Sequence, residues 1–308
     1  MPKTAFLFPG QGSQFAGMGK TLAETYPAAR SVFEEADRAL EFPISKLCFE
    51  GPEDQLKLTE NTQPALLTVS TAVAAVLSEK GIVPDFVAGH SLGEYSALVA
   101  AGGLRFADAL RLVRKRGRYM QDAVPPGVGA MAALLKMPEE KLAGVLAEAA
   151  QGEVVTAANL NSPDQVVIAG NAAAVNRAVE LAKAAGAKRA VLLPVSAPFH
   201  CALMKPAQAR LSVDLDAAEF HTLRYPLINN YSAQPVTEGA EARRGLFEQV
   251  PNPVLWAQSM RWLAAQGVER YLEVGPGTVL SGLLRNIDPA LKASKCGEAA
   301  DIEALCTS

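Results

Sequence analysis

Gly89-His90-Ser91-Leu92-Gly93 sets a serine between two glycines in the G-x-S-x-G spacing. In that spacing a serine sits on a sharp strand-to-helix turn with its hydroxyl lifted clear, the geometry of a nucleophile elbow. A serine hydroxyl is a weak nucleophile until a base takes its proton, so the pattern asks for a histidine elsewhere in the chain. Three are available, His90, His200 and His221. His90 adjoins the serine, and consecutive residues at a tight turn point different ways, so it is read as structural. His221 lies in the polar stretch His221-Thr222-Leu223-Arg224 and reads as exposed. His200 follows Pro198 and Phe199 on a loop that the proline restrains, and it is the expected base. The four cysteines (Cys48, Cys201, Cys296, Cys306) are widely spaced and contain no C-x-x-C pair, so neither a metal site nor a disulfide framework is expected.

The elbow needs a strand leading in and a helix leading out. Residues 85–88 are a short apolar run of strand type, and 92–101 reads as a helix that stops at Gly102-Gly103. The first N–H groups of such a helix, Leu92 foremost, face whatever the serine attacks and favour developing negative charge. Residues 4–8 read as a buried strand feeding the loop Pro9-Gly10-Gln11-Gly12-Ser13-Gln14. Two phosphate motifs fail there. A dinucleotide fingerprint needs glycine where Phe15 stands, and a P-loop ending at Gly19-Lys20-Thr21 needs glycine where Gln14 stands. On its residues alone the loop is either an ordinary turn or a place where main-chain N–H groups meet a ligand.

Residues 24–40 read as an amphipathic helix interrupted near Pro27. Pro64 suits a first helical position, with 65–80 as the helix and Gln63 at its entrance. In the helix 106–121, residues at about 100° each place Phe106, Ala109, Leu110, Val113, Gly117 and Met120 on one apolar arc. Arg111, Arg114, Lys115 and Arg118 fall opposite, either as a solvated face or as a docking face for an acidic partner or for phosphates. Arg116 falls inside the apolar arc, where a guanidinium needs a carboxylate, a phosphate or a carbonyl cluster. A structural ion pair is the plain alternative to a substrate contact there.

Pro125-Pro126-Gly127 breaks the chain, after which the pattern becomes β, α, β, β, α, β: 130–135, 138–150, 154–159, 165–169, 172–185 and 190–195, with Asn161-Ser162-Pro163-Asp164 as a turn. This is the ferredoxin-like order. Beyond it come a helix at 204–217, a strand at 227–229, helices at 240–249 and 254–266, a strand at 270–274 and a last helix after Gly275-Pro276-Gly277. The expected fold class is α/β. A large α/β-hydrolase-like domain with a parallel sheet is built from 1–124 and 197–308, and a small ferredoxin-like domain, 125–196, is inserted in it.

The ordered set Phe8-Pro9-Gly10-Gln11-Gly12-Ser13-Gln14, Thr62-Gln63-Pro64-Ala65-Leu66, Gly89-His90-Ser91-Leu92-Gly93-Glu94-Tyr95, Gly129-Ala130-Met131-Ala132, Asn161-Ser162-Pro163, His200-Cys201-Ala202-Leu203-Met204 and Glu273-Val274-Gly275-Pro276-Gly277 resembles the malonyl-CoA:acyl-carrier-protein transacylases of bacterial fatty-acid synthesis. The resemblance spans almost the whole chain. It implies a ping-pong transfer: Ser91 takes malonyl from malonyl-CoA, and the phosphopantetheine thiol of acyl carrier protein takes it from Ser91, with His200 moving the proton each way. It implies an oxyanion hole from the N–H groups of Gln11 and Leu92, and it makes Arg116 the carboxylate-binding arginine. It further implies that Phe199 crowds a methyl branch, that Gln63, Met131 and Asn161 line the pocket, and that the main-chain carbonyl of Gln249 orients His200. No cofactor is implied, since malonyl-CoA and the carrier protein are substrates.

The composition fits such a protein. The chain has 308 residues, a formal charge of −3 and 49% apolar residues. No global basic field points to nucleic acid, no apolar run approaches about 18 residues, and the N-terminus shows no secretory signal. A monomeric cytoplasmic enzyme with neither a nucleic-acid nor a membrane partner is expected. Two other readings share part of the pattern. An α/β-hydrolase would carry an acid and then a histidine near the C-terminus, and an inert carrier-protein-binding module would not need Ser91, His200, Gln11 and Arg116 together.

Overall fold

The computed structural model describes residues 2–195 and 197–307. Met1, Ser196 and Ser308, on which the expected outer limits and the 196/197 join fall, lie outside the described residues. The strands in chain order are β1 (Lys3–Phe8), β2 (Phe86–Gly89), β3 (Gly129–Leu135), β4 (Val155–Ser162), β5 (Gln165–Asn171), β6 (Arg189–Leu192), β7 (Leu227–Ile228), β8 (Pro235–Val236), β9 (Val268–Glu273) and β10 (Ala293–Lys295).

Six of them form one sheet in the order β10-β9-β1-β2-β7-β8. All neighbours in it are parallel except β7 and β8, so the chain must cross over between strands, and helices cover both faces. The period of two along β1 shows how. Phe6 and Phe8 join the large apolar cluster on one face, which includes Leu66, Val73, Leu98 and Leu110. Ala5 and Leu7 join the cluster on the other, with Trp256, Met260, Leu263 and Leu284.

The remaining four strands form an antiparallel sheet in the order β4-β5-β3-β6. With the helices Glu139–Ala150 and Ala172–Ala184 on one face, this is the ferredoxin-like arrangement. Ala132, Leu134 and Ile168 face those helices. Met131, Val167 and Ala169 face the opposite way and merge with the large cluster of the main sheet. β4 also reaches across: the Leu160 N–H donates to the Val254 carbonyl at 2.9 Å, and the Val254 N–H donates to the Ala158 carbonyl at 2.9 Å.

Several local expectations are corrected. The helix containing Pro64 runs Thr59–Glu79, so Pro64 and Gln63 lie inside it. Side chains hold the extra first turn: Thr62 Oγ1 donates to the Leu56 carbonyl at 2.5 Å and Asn61 Nδ2 to the Gln55 carbonyl at 3.0 Å. A proline so near the helix start removes only one internal bond. Asn161 and Ser162 belong to β4 rather than to a turn, because pairing with β5 continues as far as Ser162 and Gln165. The short edge strands β8 and β10 and the final helix Ala299–Thr307 are additional to the sequence expectation.

Candidate active site

Parallel strands place their carboxyl ends at one edge of a sheet, and loops that leave that edge meet there. β1 and β2 are in register with Phe8 opposite Gly89. Gln11 and Leu92 are each three residues past that pair, so the Pro9–Gln14 loop runs beside the elbow. The elbow itself is tight. Ser91 has φ 52°, a left-handed conformation that a non-glycine residue adopts only when its surroundings hold it. A Cβ on Gly89 would lie 1.9 Å from the Gly93 carbonyl group, and one on Gly93 would lie 2.0 Å from the Phe8 carbonyl oxygen. Both flanking glycines are therefore required by close approach.

Ser91 Oγ lies 2.7 Å from His200 Nε2. His200 also has a left-handed φ of 58° and is buried. Its Nδ1 lies 2.9 Å from the main-chain carbonyl of Gln249. A carbonyl only accepts, so Nδ1 carries the proton and Nε2 presents a lone pair to the serine hydroxyl. Burial, and after it the Arg116 charge, push the His200 pKa down to about 3, which keeps the imidazole neutral and ready to accept. No carboxylate bonds to the histidine among the described residues, which separates this site from a Ser-His-Asp hydrolase.

The Ser91 N–H donates to Asn230 Oδ1 at 2.7 Å, so it is already engaged. The Gln11 and Leu92 N–H groups donate to no other group among the described residues. Main-chain N–H groups beside the elbow with no acceptor of their own are available to an oxyanion.

Arg116 is 1% exposed on the helix Phe106–Asp122, on the apolar arc where periodicity put it. Its guanidinium donates to Gln63 Oε1 at 2.8 Å, to Gln249 Oε1 at 2.8 Å and to Ser91 Oγ at 3.1 Å. Its Nε has no partner, and no carboxylate pairs with it directly among the described residues. No direct ion pair is thus formed there among the described residues, and a buried cation with an unpartnered Nε is left beside Ser91. Burial works against that charge and lowers the pKa.

The other residues sort by distance from the serine. Gln63 and Gln249 are in contact with Arg116. Asn161 is one step removed: its Oδ1 lies 2.8 Å from His90 Nε2, and His90 turns away from Ser91 onto Trp256, with ring centroids 5.4 Å apart. Phe199 and Met131 are buried in the main apolar cluster, one beside His200 and the other on the inner face of β3. The basic helix face is largely paired. Arg111 meets Asp108 at 3.1 Å, Lys115 meets Asp214 at 2.5 Å, and Arg114 lies 4.8 Å from the Phe42 ring centre and donates to the Leu40 carbonyl at 3.2 Å.

Glu94 and Asn230 were not singled out from sequence. Glu94 is fully buried one turn past the nucleophile. A carboxylate inside an apolar helix was the available signal. Asn230 Nδ2 donates to the Gly89 carbonyl at 2.6 Å, so its side chain clamps the elbow from both ends. It lies just past β7, at the same sheet edge, and that position was the signal for it.

Fold and site together define a serine-histidine acyl-transfer protein with a buried arginine beside the nucleophile. The chain belongs to the acyl transferase domain family, which matches residues 5–302. It is 53% identical over 304 residues to a malonyl CoA-acyl carrier protein transacylase from Bacillus subtilis strain 168, covering 98% of this chain and 96% of the relative. It superimposes on the crystal structure of an acyl carrier protein S-malonyltransferase from Vibrio cholerae with a TM-score of 0.96 at 46% identity, over 98% of this chain and 99% of that one. A holo type II PKS acyl-carrier protein in complex with its malonyl-transacylase gives a TM-score of 0.96 at 45% identity, covering 99% of each chain.

Proposed function

We propose that this chain transfers malonyl from malonyl-CoA to the phosphopantetheine thiol of acyl carrier protein through a malonyl ester of Ser91, supplying fatty-acid chain elongation. The observation that carries the reading is the buried Arg116, one donor short and 3.1 Å from the nucleophile. An anionic acyl group would satisfy it, and a plain acyl chain would leave it as it is.

In the first half-reaction His200 Nε2 takes the Ser91 hydroxyl proton as Oγ forms its bond to the thioester carbon. The carbonyl oxygen becomes an oxyanion held by the Gln11 and Leu92 N–H groups. The carbon–sulfur bond then breaks, and the CoA thiolate takes the proton from His200. In the second half the carrier thiol gives its proton to His200 and attacks the ester, and Ser91 Oγ recovers the proton as it leaves. The Gln249 carbonyl keeps the Nδ1–H tautomer throughout, and Phe199, Met131, Gln63 and Asn161 shape the acyl pocket. No metal or other cofactor is needed, because the proton and the oxyanion charge are both handled by this chain.

The reading carries a catalytic unit of 1–124 and 197–308, an inserted unit of 125–196 and a monomeric cytoplasmic enzyme with neither nucleic-acid nor membrane partners. A formal charge of −3 and the lack, among the described residues, of a helix long and apolar enough to cross a membrane support it.

Intact mass after mixing with malonyl-CoA or acetyl-CoA tests the reading. The wild type gains one malonyl group on Ser91 and favours it over acetyl, and Arg116→Ala loses that preference. Equal loading of both acyl groups by the wild type, or no adduct, would reject the malonyl assignment.

A further inference from the structure

Gln249 meets both halves of the site. Its main-chain carbonyl faces His200, and its side-chain oxygen accepts from Arg116. Its Nε2 donates to the Ser91 carbonyl at 3.0 Å and to Glu94 Oε2 at 2.8 Å. A primary amide has one acceptor end and one donor end, and a half-turn would set an NH2 against the guanidinium. Something must therefore hold the donor end away from Arg116. The Ser91 carbonyl does part of this. Asn230 Oδ1 accepts more weakly at 3.4 Å. The shortest of the three bonds goes to Glu94, which has no role in the chemistry above.

We propose that Glu94 is the positioning residue of this site: through Gln249 it fixes the carboxylate clamp of Arg116 and the base His200 together. The same Glu94 oxygen accepts the Asn230 N–H at 3.1 Å, and Asn230 Oδ1 in turn holds the Ser91 N–H. One buried carboxylate oxygen thus anchors the elbow, the histidine-orienting residue and the arginine. Arg116 and Glu94 also oppose each other in charge across the Gln249 amide, an ion pair relayed by a neutral group. Burial raises the Glu94 pKa to about 7, against these hydrogen bonds and the Arg116 charge, which lower it. The second carboxylate oxygen, Oε1, has no partner. Glutamine at this position would keep an acceptor for both donors with its NH2 at the vacant side, whereas methionine would keep the bulk and lose the acceptor.

The inference rests on the malonyl-transfer reading, and its test separates the two. Malonyl and acetyl loading rates are measured by quenched intact mass for the wild type, Glu94→Gln, Glu94→Met and Gln249→Met. A wild type that takes no malonyl fails the reading itself. With a competent wild type, Glu94→Met is expected to lose about a hundredfold in malonyl loading, the scale of a small misplacement of reacting groups. The lead of malonyl over acetyl shrinks with it, and Glu94→Gln restores loading to within about tenfold of the wild type on the same scale. Gln249→Met keeps the carbonyl on His200 while cutting the relay, and it lowers the malonyl lead as Glu94→Met does. That variant decides the matter if Glu94→Met does not fold. The inference is overturned if Glu94→Met loads normally, if it lowers both acyl groups by one factor, if Glu94→Gln falls as far as Glu94→Met, or if Gln249→Met keeps the full malonyl lead.

Discussion

The two sheets of this protein bury different things. The inserted sheet and its helices enclose an apolar core of Ala132, Leu134, Val145, Ile168, Val175, Ala178 and their neighbours. Among the described residues its buried polar ones, Asn159, Asn161 and Ser162, all lie on β4, the strand that bonds across to Val254. The edge of the main sheet buries Gln63, Glu94, Arg116, His200, Asn230 and Gln249, nearly all hydrogen-bonded to one another. Buried polar groups are tolerable when each finds a partner, and a connected set of them has few alternative arrangements. One unit is therefore built for packing, and the other spends packing on a fixed polar cluster. Left-handed non-glycine residues occur in both units. Among the described residues of the inserted unit they are Lys136 and Gln151, and in the main unit they are Glu41 and Ala233 together with Ser91 and His200. Only in the main unit do two of them form a hydrogen-bonded pair, which their surroundings must hold in place.

The sharpest break of that division is at the base. His200→Ala is expected to lower malonyl loading by about a hundredfold to ten-thousandfold with little change in fold. The pH profile refines the point. A histidine of ordinary pKa would protonate near pH 6.5 and loading would fall below it. His200 is held down to about 3, so the neutral base persists and loading does not fall on its account between pH 8 and pH 5. A shallow step near pH 7 is expected from Glu94, whose carboxyl burial pushes up to about 7, so that it takes a proton as the pH drops and no longer offsets the Arg116 charge. The groups facing it are Arg116, Tyr95, Gln249 and Asn230, and Oε2 keeps its two donors when the proton sits on Oε1. The step should vanish in Glu94→Gln. A wild-type profile that falls off at pH 6.5 and is unaltered in that variant would count against both assignments.

A weaker break is expected where the two units touch. Asn161→Ala leaves the buried His90 without its 2.8 Å partner. Loss of a buried partner costs about 1–3 kcal/mol of stability. Loading should fall by less than about tenfold, since Ser91 and His200 keep their own bonds and only the support behind the elbow loosens. A fall as large as that of His200→Ala would place Asn161 in the chemistry rather than behind it.

How much of this was legible in the sequence differs between the same two regions. The inserted unit was readable element by element, because alternating strands and helical periods report directly on an apolar core. The Ser91 elbow and the inward Arg116 were readable for a similar reason, one from glycine spacing and the other from its place on an apolar arc. The relay was not. Glu94 reaches Asn230 and Gln249 across 136 and 155 positions of chain, and no local pattern encodes such a contact. The helix at Pro64 starts a turn earlier than its proline suggests, because side-chain bonds from Asn61 and Thr62 outweigh the proline preference for a first position. The edge strands β8 and β10 are two and three residues long, too short for alternation to show.

The smallest expected effect on loading lies deepest in the inserted unit. Ile168 is fully buried on β5, on the face turned to the two helices and away from the serine. Ile168→Ala removes three carbons from a packed core and leaves a cavity, which destabilises by about 2–5 kcal/mol. That loss falls on the inserted unit, where neither a charge nor a reacting atom depends on it. Malonyl loading per folded molecule should then stay within about twofold, because the Ser91, His200 and Arg116 contacts are made by other residues; that is well under 1 kcal/mol. Thermal unfolding and quenched loading on the same sample check both halves of the expectation. A normal melting temperature would mean the cavity collapses. A large loss of loading in a folded variant would mean the inserted sheet transmits its packing through β4 to His90, and the division between a packing unit and a chemical unit would have to be redrawn at Asn161.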